Sequence, residues 1–471
     1  MKKEFDLLII GAGPVGLMSA YLAHLSGLST LIIDKTSQPL QVGRADALNA
    51  RTLQYLEIVD LFAEIYPKGK PCNTSSVWAN GKFTSRQSSW WENLQGTFHK
   101  HFLMIGQSHI EQLLDKKLKE LSQPVLRDIS VIDINYDDKG CLTRLSNGDE
   151  IFSHYLIGAD GAHSFVRKHF NIPFELVRPQ IIWAVVDGII STDFKKVPEI
   201  IVFQAETADV AWIPREGYLD RFYIRMDIED FTFEQVLERI NNAIKPHQLT
   251  FEHIEWFSKF SVKESVAENF FFCNKIFIAG DASHVHSVNG GQGLNTGLAD
   301  AFNLIWKISQ VHLHNAPESL LQTYELERKA TAMDIVKTSA ELVRSTKNST
   351  TGSHANDYLK IVEKRSGFIT GMGIQYGNHK LKGTRLYDFI INQNQRVYSL
   401  LKYNKYTVLI TGTLKKELNF PSYVQVIYVE SNESPYSDGI LIVRPDAYIE
   451  LNLDLGEFDK LKEFFNLSKD A

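Results

Sequence analysis

FDLLIIGAGPVGLMSAYLAHLSGLSTLIIDK, residues 5–35, sets three glycines at the end of one apolar run and a lone acid at the end of the next. Leu7 to Ile10 is short, β-rich and closed by glycine, so it reads as a buried strand. From Pro14 to Leu25 the apolar residues recur at helical spacing, and Leu31 to Ile33 forms a second strand. In such a strand–turn–helix–strand unit, Gly11, Gly13 and Gly16 have separate tasks: a sharp turn, backbone close to a pyrophosphate, and helix packed on strand. The helix that starts at Pro14 offers unpaired N–H groups, from Val15 onward, and roughly half a positive charge to that pyrophosphate. Asp34 ends the second strand, beside Lys35, where a carboxylate accepts hydrogen bonds from a ribose. A glycine-rich turn that serves packing alone is the competing reading. The motif leaves open which dinucleotide is bound.

Outward from this unit, 471 residues allow two or three domains. A net charge of −6 with scattered Lys and Arg gives no electrostatic footprint for nucleic acid or an anionic membrane. Cys72, Cys141 and Cys273 are odd in number and far apart, which suits a reducing cytoplasm rather than a disulfide framework. No apolar run reaches the roughly 18–20 residues of a membrane span.

Two later stretches repeat the strand-then-glycine pattern. YLIGADGAHSFVRKHFN (155–171) carries Gly158, Asp160 and Gly161 before a short helix with Arg167. Asp160 is placed to cap that helix, and Arg167 supplies a cation for a phosphate or for Asp160. An ordinary capped corner is the equal alternative. KIFIAGDASHVHSVNGGQGLNTGLADAFNLIWKI (275–308) ends a buried strand in Gly280 and Asp281, then passes Gly290, Gly291 and Gly293 into a helix near Leu294. Asp281 is positioned to accept hydrogen bonds from ligand hydroxyls, and the helix start faces whatever fills the loop, such as a ring that gains negative charge on reduction. A flexible loop capped by a helix is the alternative. A nicotinamide dehydrogenase needs no second ligand-chain site; a flavin, whose ribityl chain and ring run long, does. FAD is therefore the expected cofactor. His284 and His286 lack a third ligand, so no metal is expected.

Together these stretches resemble the group A flavoprotein monooxygenases, the para-hydroxybenzoate and phenol hydroxylase-like family, over about residues 5–345. GRADALNARTLQYLE (43–57) and GQSHIEQLL (106–114) are similar to family segments as well. The resemblance implies an α/β fold: an FAD-binding Rossmann-like domain of glutathione reductase type (1–70, 101–177 and 266–350) and an inserted, mainly β substrate domain (71–100 and 178–265). A linker (351–379) and a C-terminal thioredoxin-like α/β domain (380–471) complete it. ILIVRPDAYIEL (440–451) is similar to the end of that last domain in the polyketide hydroxylase branch; it has no cysteine here, so packing or a homodimer contact is its expected role. Gly11, Gly13, Gly16 and Asp34 would hold the ADP half, Arg44 and Gln107 would touch the FAD, and Asp160 would serve FAD and NAD(P)H. Asp281 would bind the ribityl chain, and Gly293, Leu294 and Asn295 would cradle the isoalloxazine. The sequence departs from the family at Val288, where Pro is usual, and at Asp34, where Glu is commoner.

The implied reaction is reduction of the flavin by NADPH or NADH acting as a transient reductant, addition of O2 to give a C4a-hydroperoxide, and hydroxylation of a small phenolic or polyketide-like aromatic. The protein binds, orients and excludes water, so no nucleophile or other catalytic side chain is assigned. Trp183, Phe203, Trp212, Arg215, Tyr223 and Arg225 are candidates for the substrate face, and the aromatic stretch 71–100, with Trp78, Trp90 and Trp91, reads as an irregular wall. An epoxidase, a Baeyer–Villiger oxygenase, a halogenase, a reductase or a non-catalytic FAD-binding protein are the competing expectations. The halogenase is disfavoured because ADVAWIPREG holds only the Trp-Ile-Pro part of that signature.

Overall fold

A computed structural model describes residues 3–176, 181–204, 209–262, 264–286, 291–347, 360–377, 379–413 and 419–467. Four parallel strands form its heart, in the spatial order Ile276–Ile278, Glu150–Gly158, Glu4–Ile10 and Thr30–Ile33. Leu7, Leu8, Ile9, Leu156, Ile157 and Ile276 are fully buried. A sheet covered on both faces needs such continuous apolar runs rather than alternation. The helices Pro14–Leu25 and Gln292–His314 supply cover; the second is buried along most of its length, which suits a central helix rather than a surface one.

A second sheet has seven strands in the order Leu249–Val262, Ile181–Thr192, Asp220–Met226, Asp209–Pro214, Ile200–Gln204, Ser75–Ala79 and Lys82–Gln87. One face is closed by the helix Phe233–Ile244, which begins with a Thr232/Gln235 capping box. Phe203, Trp212, Phe222 and Ile224 pack there with Val236 and Ile240. The stretch 71–100, expected to be irregular, instead adds two strands to this sheet. Ser75–Ala79 runs parallel to Ile200–Gln204, a pairing across more than a hundred residues that local pattern does not reveal.

The C-terminal part is a four-stranded mixed sheet in the order Val424–Val429, Tyr406–Thr411, Gly439–Val443, Ile449–Leu453, followed by the helix Phe458–Phe464. Its apolar residues Val408, Ile410 and Ile442 belong to the same core as Leu7 and Phe302. The described residues 360–377, within the expected linker, are built into the body instead: Val362, Ile369 and Met372 pack against Ala47, Trp91 and Phe102. No helix among the described residues is long and apolar enough to cross a membrane.

Candidate active site

The three glycine corners leave the same edge of one sheet. Register pairs Ile10 with Gly158 and Gly158 with Ile278, so the turns at Gly11, Asp160 and Gly280 follow the C-terminal ends of neighbouring parallel strands. Ligands of open α/β sheets bind at such an edge.

A side chain added at each glycine would meet different surroundings. A Cβ on Gly11, whose φ is +103°, would lie 2.4 Å from the Ala159 carbonyl oxygen, and one on Gly16 would lie 1.8 Å from that of Gly11. These two allow corner to pack on corner and helix on strand. At Gly13 and Gly161 an added Cβ would meet no heavy atom of the described residues within 4 Å, and at Gly291 and Gly293 the nearest among them would be 3.9 and 3.8 Å away. Each corner thus presents bare backbone to open space. The helices at Pro14 and Gln292 start from Gly13 and Gly291 with no side-chain cap, which leaves their first N–H groups for a ligand. Val15 turns inward: Cβ atoms on Gly280 and Gly297 would sit 2.8 and 2.6 Å from its methyl.

The acids differ in their engagement. The Asp34 carboxylate accepts from the Ala12 N–H at 2.5 Å and from the Thr36 N–H at 2.7 Å, fastening the glycine turn to the second strand, while Lys35 is exposed beside it. Asp160 Oδ2 accepts from the Phe165 N–H at 2.6 Å; its Oδ1 is buried with no partner among the described residues, and burial raises its pKa against the hydrogen bonds it accepts. Arg167 is not aimed at a phosphate. Its guanidinium donates to the Ala162 and Ala282 carbonyls, both at 2.7 Å, and lies over Phe174, tying the second corner to the third. Asp281 is solvent-open, yet the dense protein around it raises its pKa, with His284 and Arg44 opposing the rise. That combination marks the floor of a cleft, with the exposed Arg44 facing the same space.

Asn295 is committed to the protein. Its amide donates to Ala47 O at 3.0 Å and Gly291 O at 2.8 Å and accepts from Asn49 N at 2.9 Å and Thr52 Oγ1 at 2.8 Å. Leu294 beside it is buried. Gln107 clamps Glu111 at 2.8 Å and Ala45. Val288, the departure near the ring, lies outside the described residues.

Sequence reading missed the support beneath the third corner. Asp300 accepts from Gly280 N at 2.9 Å, His284 Nε2 at 2.8 Å and Arg328 Nε at 2.7 Å, all fully buried. An acid inside an otherwise apolar helix was its only trace. It also missed residues 366–372, whose Ile369 carbonyl accepts from Gln292 at 2.8 Å. Away from the cleft, Asp6, His154 and His312 bring potential metal-ligand atoms within 4.8 Å of one another; His284 and His286 are not among them.

The second sheet covers this edge with its other face. Arg221 donates to Arg44 O and pairs with Asp187 at 2.5 Å, and Tyr223 donates to Asp46 Oδ2 at 3.2 Å. Alternation puts Arg225 and Trp183 on that same face. Phe203 and Trp212 belong to the opposite face, under the helix Phe233–Ile244, so they are not brought to the cleft. Arg215 is spent on Asp187 at 2.9 Å and Glu216 at 2.7 Å. The side chain of Trp90 lies outside the described residues; Trp91 packs into the apolar cluster at Ala47.

Open glycines at three corners, two uncapped helix starts, an unpartnered Asp160 oxygen and an open Asp281 fit one long cofactor with a phosphate-bearing end and a hydroxyl-bearing chain. Fold and cleft define a flavin-dependent oxidoreductase. Residues 4–339 match the FAD binding domain family, and the chain belongs to it. FAD is its cofactor, and it is an enzyme of the FAD-dependent monooxygenase class. It is 28% identical to a phenol 2-monooxygenase of Aspergillus fumigatus over 93% of this chain and 81% of that one. It is 27% identical to a 12-dehydrotetracycline 5-monooxygenase/anhydrotetracycline 6-monooxygenase of Streptomyces rimosus over 95% of both. The flavin-dependent monooxygenase PieE, solved with FAD and substrate, shares the fold with a TM-score of 0.80 at 17% identity, over 99% of this chain and 100% of that one.

Proposed function

We propose that the chain uses NAD(P)H and O2 to hydroxylate a flat, polar-substituted aromatic molecule held between the FAD-binding body and the inward face of the seven-stranded sheet. The observation that carries this is the opening of three glycine corners on one sheet edge beneath that face. Gly13 and the helix start at Pro14 would take the pyrophosphate, Asp34 the adenosine ribose, Asp281 the ribityl hydroxyls, and the backbone from Gly291 to Asn295 the ring. Arg44, with its positive φ of +66°, is held at the cleft rim by Arg221 and would meet the pyrophosphate. FAD, once bound and reduced by the nicotinamide, supplies the oxygen-transfer chemistry. The chain's own part is to hold the aromatic ring in register and keep water out, with Trp91, Phe102, Ile213 and Met372 forming an apolar wall.

The strand order and directions of the C-terminal sheet support reading it as thioredoxin-like, and without cysteine it acts by packing or as a homodimer contact rather than by redox chemistry. The free, separated cysteines fit a reducing cytoplasm. NAD(P)H oxidation should rise at least several-fold with a phenolic ligand while little peroxide accumulates. Equal rates with and without every aromatic tested would refute hydroxylation.

A further inference from the structure

On the inward face of the seven-stranded sheet, Trp183, Arg225 and Gln204 share one transverse row and have side-chain polar groups without partners among the described residues; the side chain of Asp209, between Arg225 and Gln204 in that row, lies outside them. Trp183 pairs directly with Arg225. Ile224 pairs with Val210, and Asp209 with Gln204, so Arg225 and Gln204 lie two strands apart in the same row and point the same way. That way is toward the FAD-binding body, because Tyr223 and Arg221, two and four residues before Arg225 on its strand, bond Asp46 and Arg44 there.

Gln204 is 5% exposed, and neither its amide nitrogen nor its amide oxygen has a partner among the described residues. Trp183 is 7% exposed, and its indole Nε1 is likewise unmet. Arg225 is half-buried, and its guanidinium has no hydrogen bond or ion pair among the described residues. By contrast, the arginines and the tyrosine on the next rows are satisfied: Arg221 and Arg215 share Asp187, and Tyr223 bridges Arg221 and Asp46. Unmet buried polar groups are unfavourable in a folded protein, and those of Trp183 and Gln204, on either side of a half-buried Arg225, point to a ligand that completes them. Trp183 to Gln204 spans three strand spacings, about 14 Å.

We propose that this row is the substrate's polar register: an anionic oxygen of the aromatic pairs with Arg225, and flanking oxygens are hydrogen-bonded by Trp183 Nε1–H and the Gln204 amide. The span fits a substrate of three or more fused rings, and a guanidinium with no ion pair among the described residues suits a carboxylate or an ionised phenol or enol on its edge. This inference rests on the hydroxylase reading.

The FAD-loaded protein is titrated with anthraquinone, anthraquinone-2-carboxylate and 1,2-dihydroxyanthraquinone, following the flavin absorbance. At least one of the two ionisable probes should bind tenfold or more tightly than anthraquinone, and which one does so separates carboxylate from phenolate recognition. Arg225→Met should bring all three within about twofold. Gln204→Leu should weaken the preferred probe several-fold, yet raise the melting temperature of the ligand-free holoenzyme, since it removes an unmet buried amide; a structural glutamine would do the reverse. Protein that loads FAD but prefers neither ionisable probe, or an Arg225→Met variant that keeps the preference, overturns the register alone. Protein that takes up no FAD overturns the hydroxylase reading and the register with it.

Discussion

Gly13 and Gly16 lie three residues apart, but a methyl group has opposite consequences at each. At Gly13 the backbone is extended with φ −72°, and an added Cβ meets no heavy atom of the described residues within 4 Å. Gly13→Ala should therefore leave the melting temperature of flavin-free protein nearly unchanged while weakening FAD binding by about tenfold, ~1.4 kcal/mol. At Gly16 the Cβ would sit 1.8 Å from Gly11 O, and Gly16→Ala should cost about 3 kcal/mol or prevent folding. Thermal melts of both apo variants beside their flavin affinities check the pair. Both roles were legible, because the motif's spacing encodes them. The engagement of Asn295 and Arg167 by protein groups was not, since their partners Ala47, Asn49 and Ala282 lie far away in sequence. A pH effect belongs at this scale too. Burial, aided by the neighbouring His99, pushes His101 down to about 4. The unfolded chain protonates this histidine near 6.5 while the folded one does not, so its contribution to stability declines as pH falls below about 6.5 and levels off near 4. Between pH 7 and pH 5 the wild type should lose more melting temperature than His101→Gln, which keeps a group able to bond Tyr66.

Among the elements, the seven-stranded sheet is fixed over the cleft by one buried cluster. Arg221 is fully buried and bonds both Asp187 oxygens, the Tyr223 hydroxyl and the Arg44 carbonyl. Removing one partner of a buried pair costs about 3–5 kcal/mol, because the other charge stays behind. Arg221→Met should lower the melting temperature by several degrees and weaken flavin binding as well, since Arg44 loses the donor that holds its carbonyl. A melting loss with unchanged flavin affinity would detach this cluster from the cleft. The sheet's existence was legible from its alternating strands. Its two faces were not: Phe203 and Trp212 pack under the helix, while Trp183 and Arg225 turn inward. Nor did any local signal announce Ser75–Ala79, which joins by parallel pairing with a strand far along the chain.

Across the whole molecule, the C-terminal sheet is joined to the FAD-binding body by apolar core and charge together. Arg444 bonds Glu327 at 2.7 Å and Asp446, with Lys307 on Glu327 at 2.8 Å; Arg51 donates to Tyr398 at 2.7 Å and to the Asp446 carbonyl at 2.8 Å. Burial opposes the charge of Glu327, but Arg444 and Lys307 outweigh it and hold the carboxyl below its ordinary range. Arg444→Met strands the Asp446 carboxylate, leaves Glu327 with Lys307 alone as its cation, and should cost about 3–5 kcal/mol. The shared core predicts one unfolding transition in calorimetry for wild type and variant alike. Two resolved transitions would mean the C-terminal sheet folds by itself. Convergence of the corners on a single flavin is tested most directly by titrating flavin-free protein with FAD and following its fluorescence. One FAD should bind per chain, and Gly13→Val, at the first corner, and Asp281→Ala, at the third, should each weaken it tenfold or more. Saturable binding that ignores Asp281→Ala would contradict that convergence.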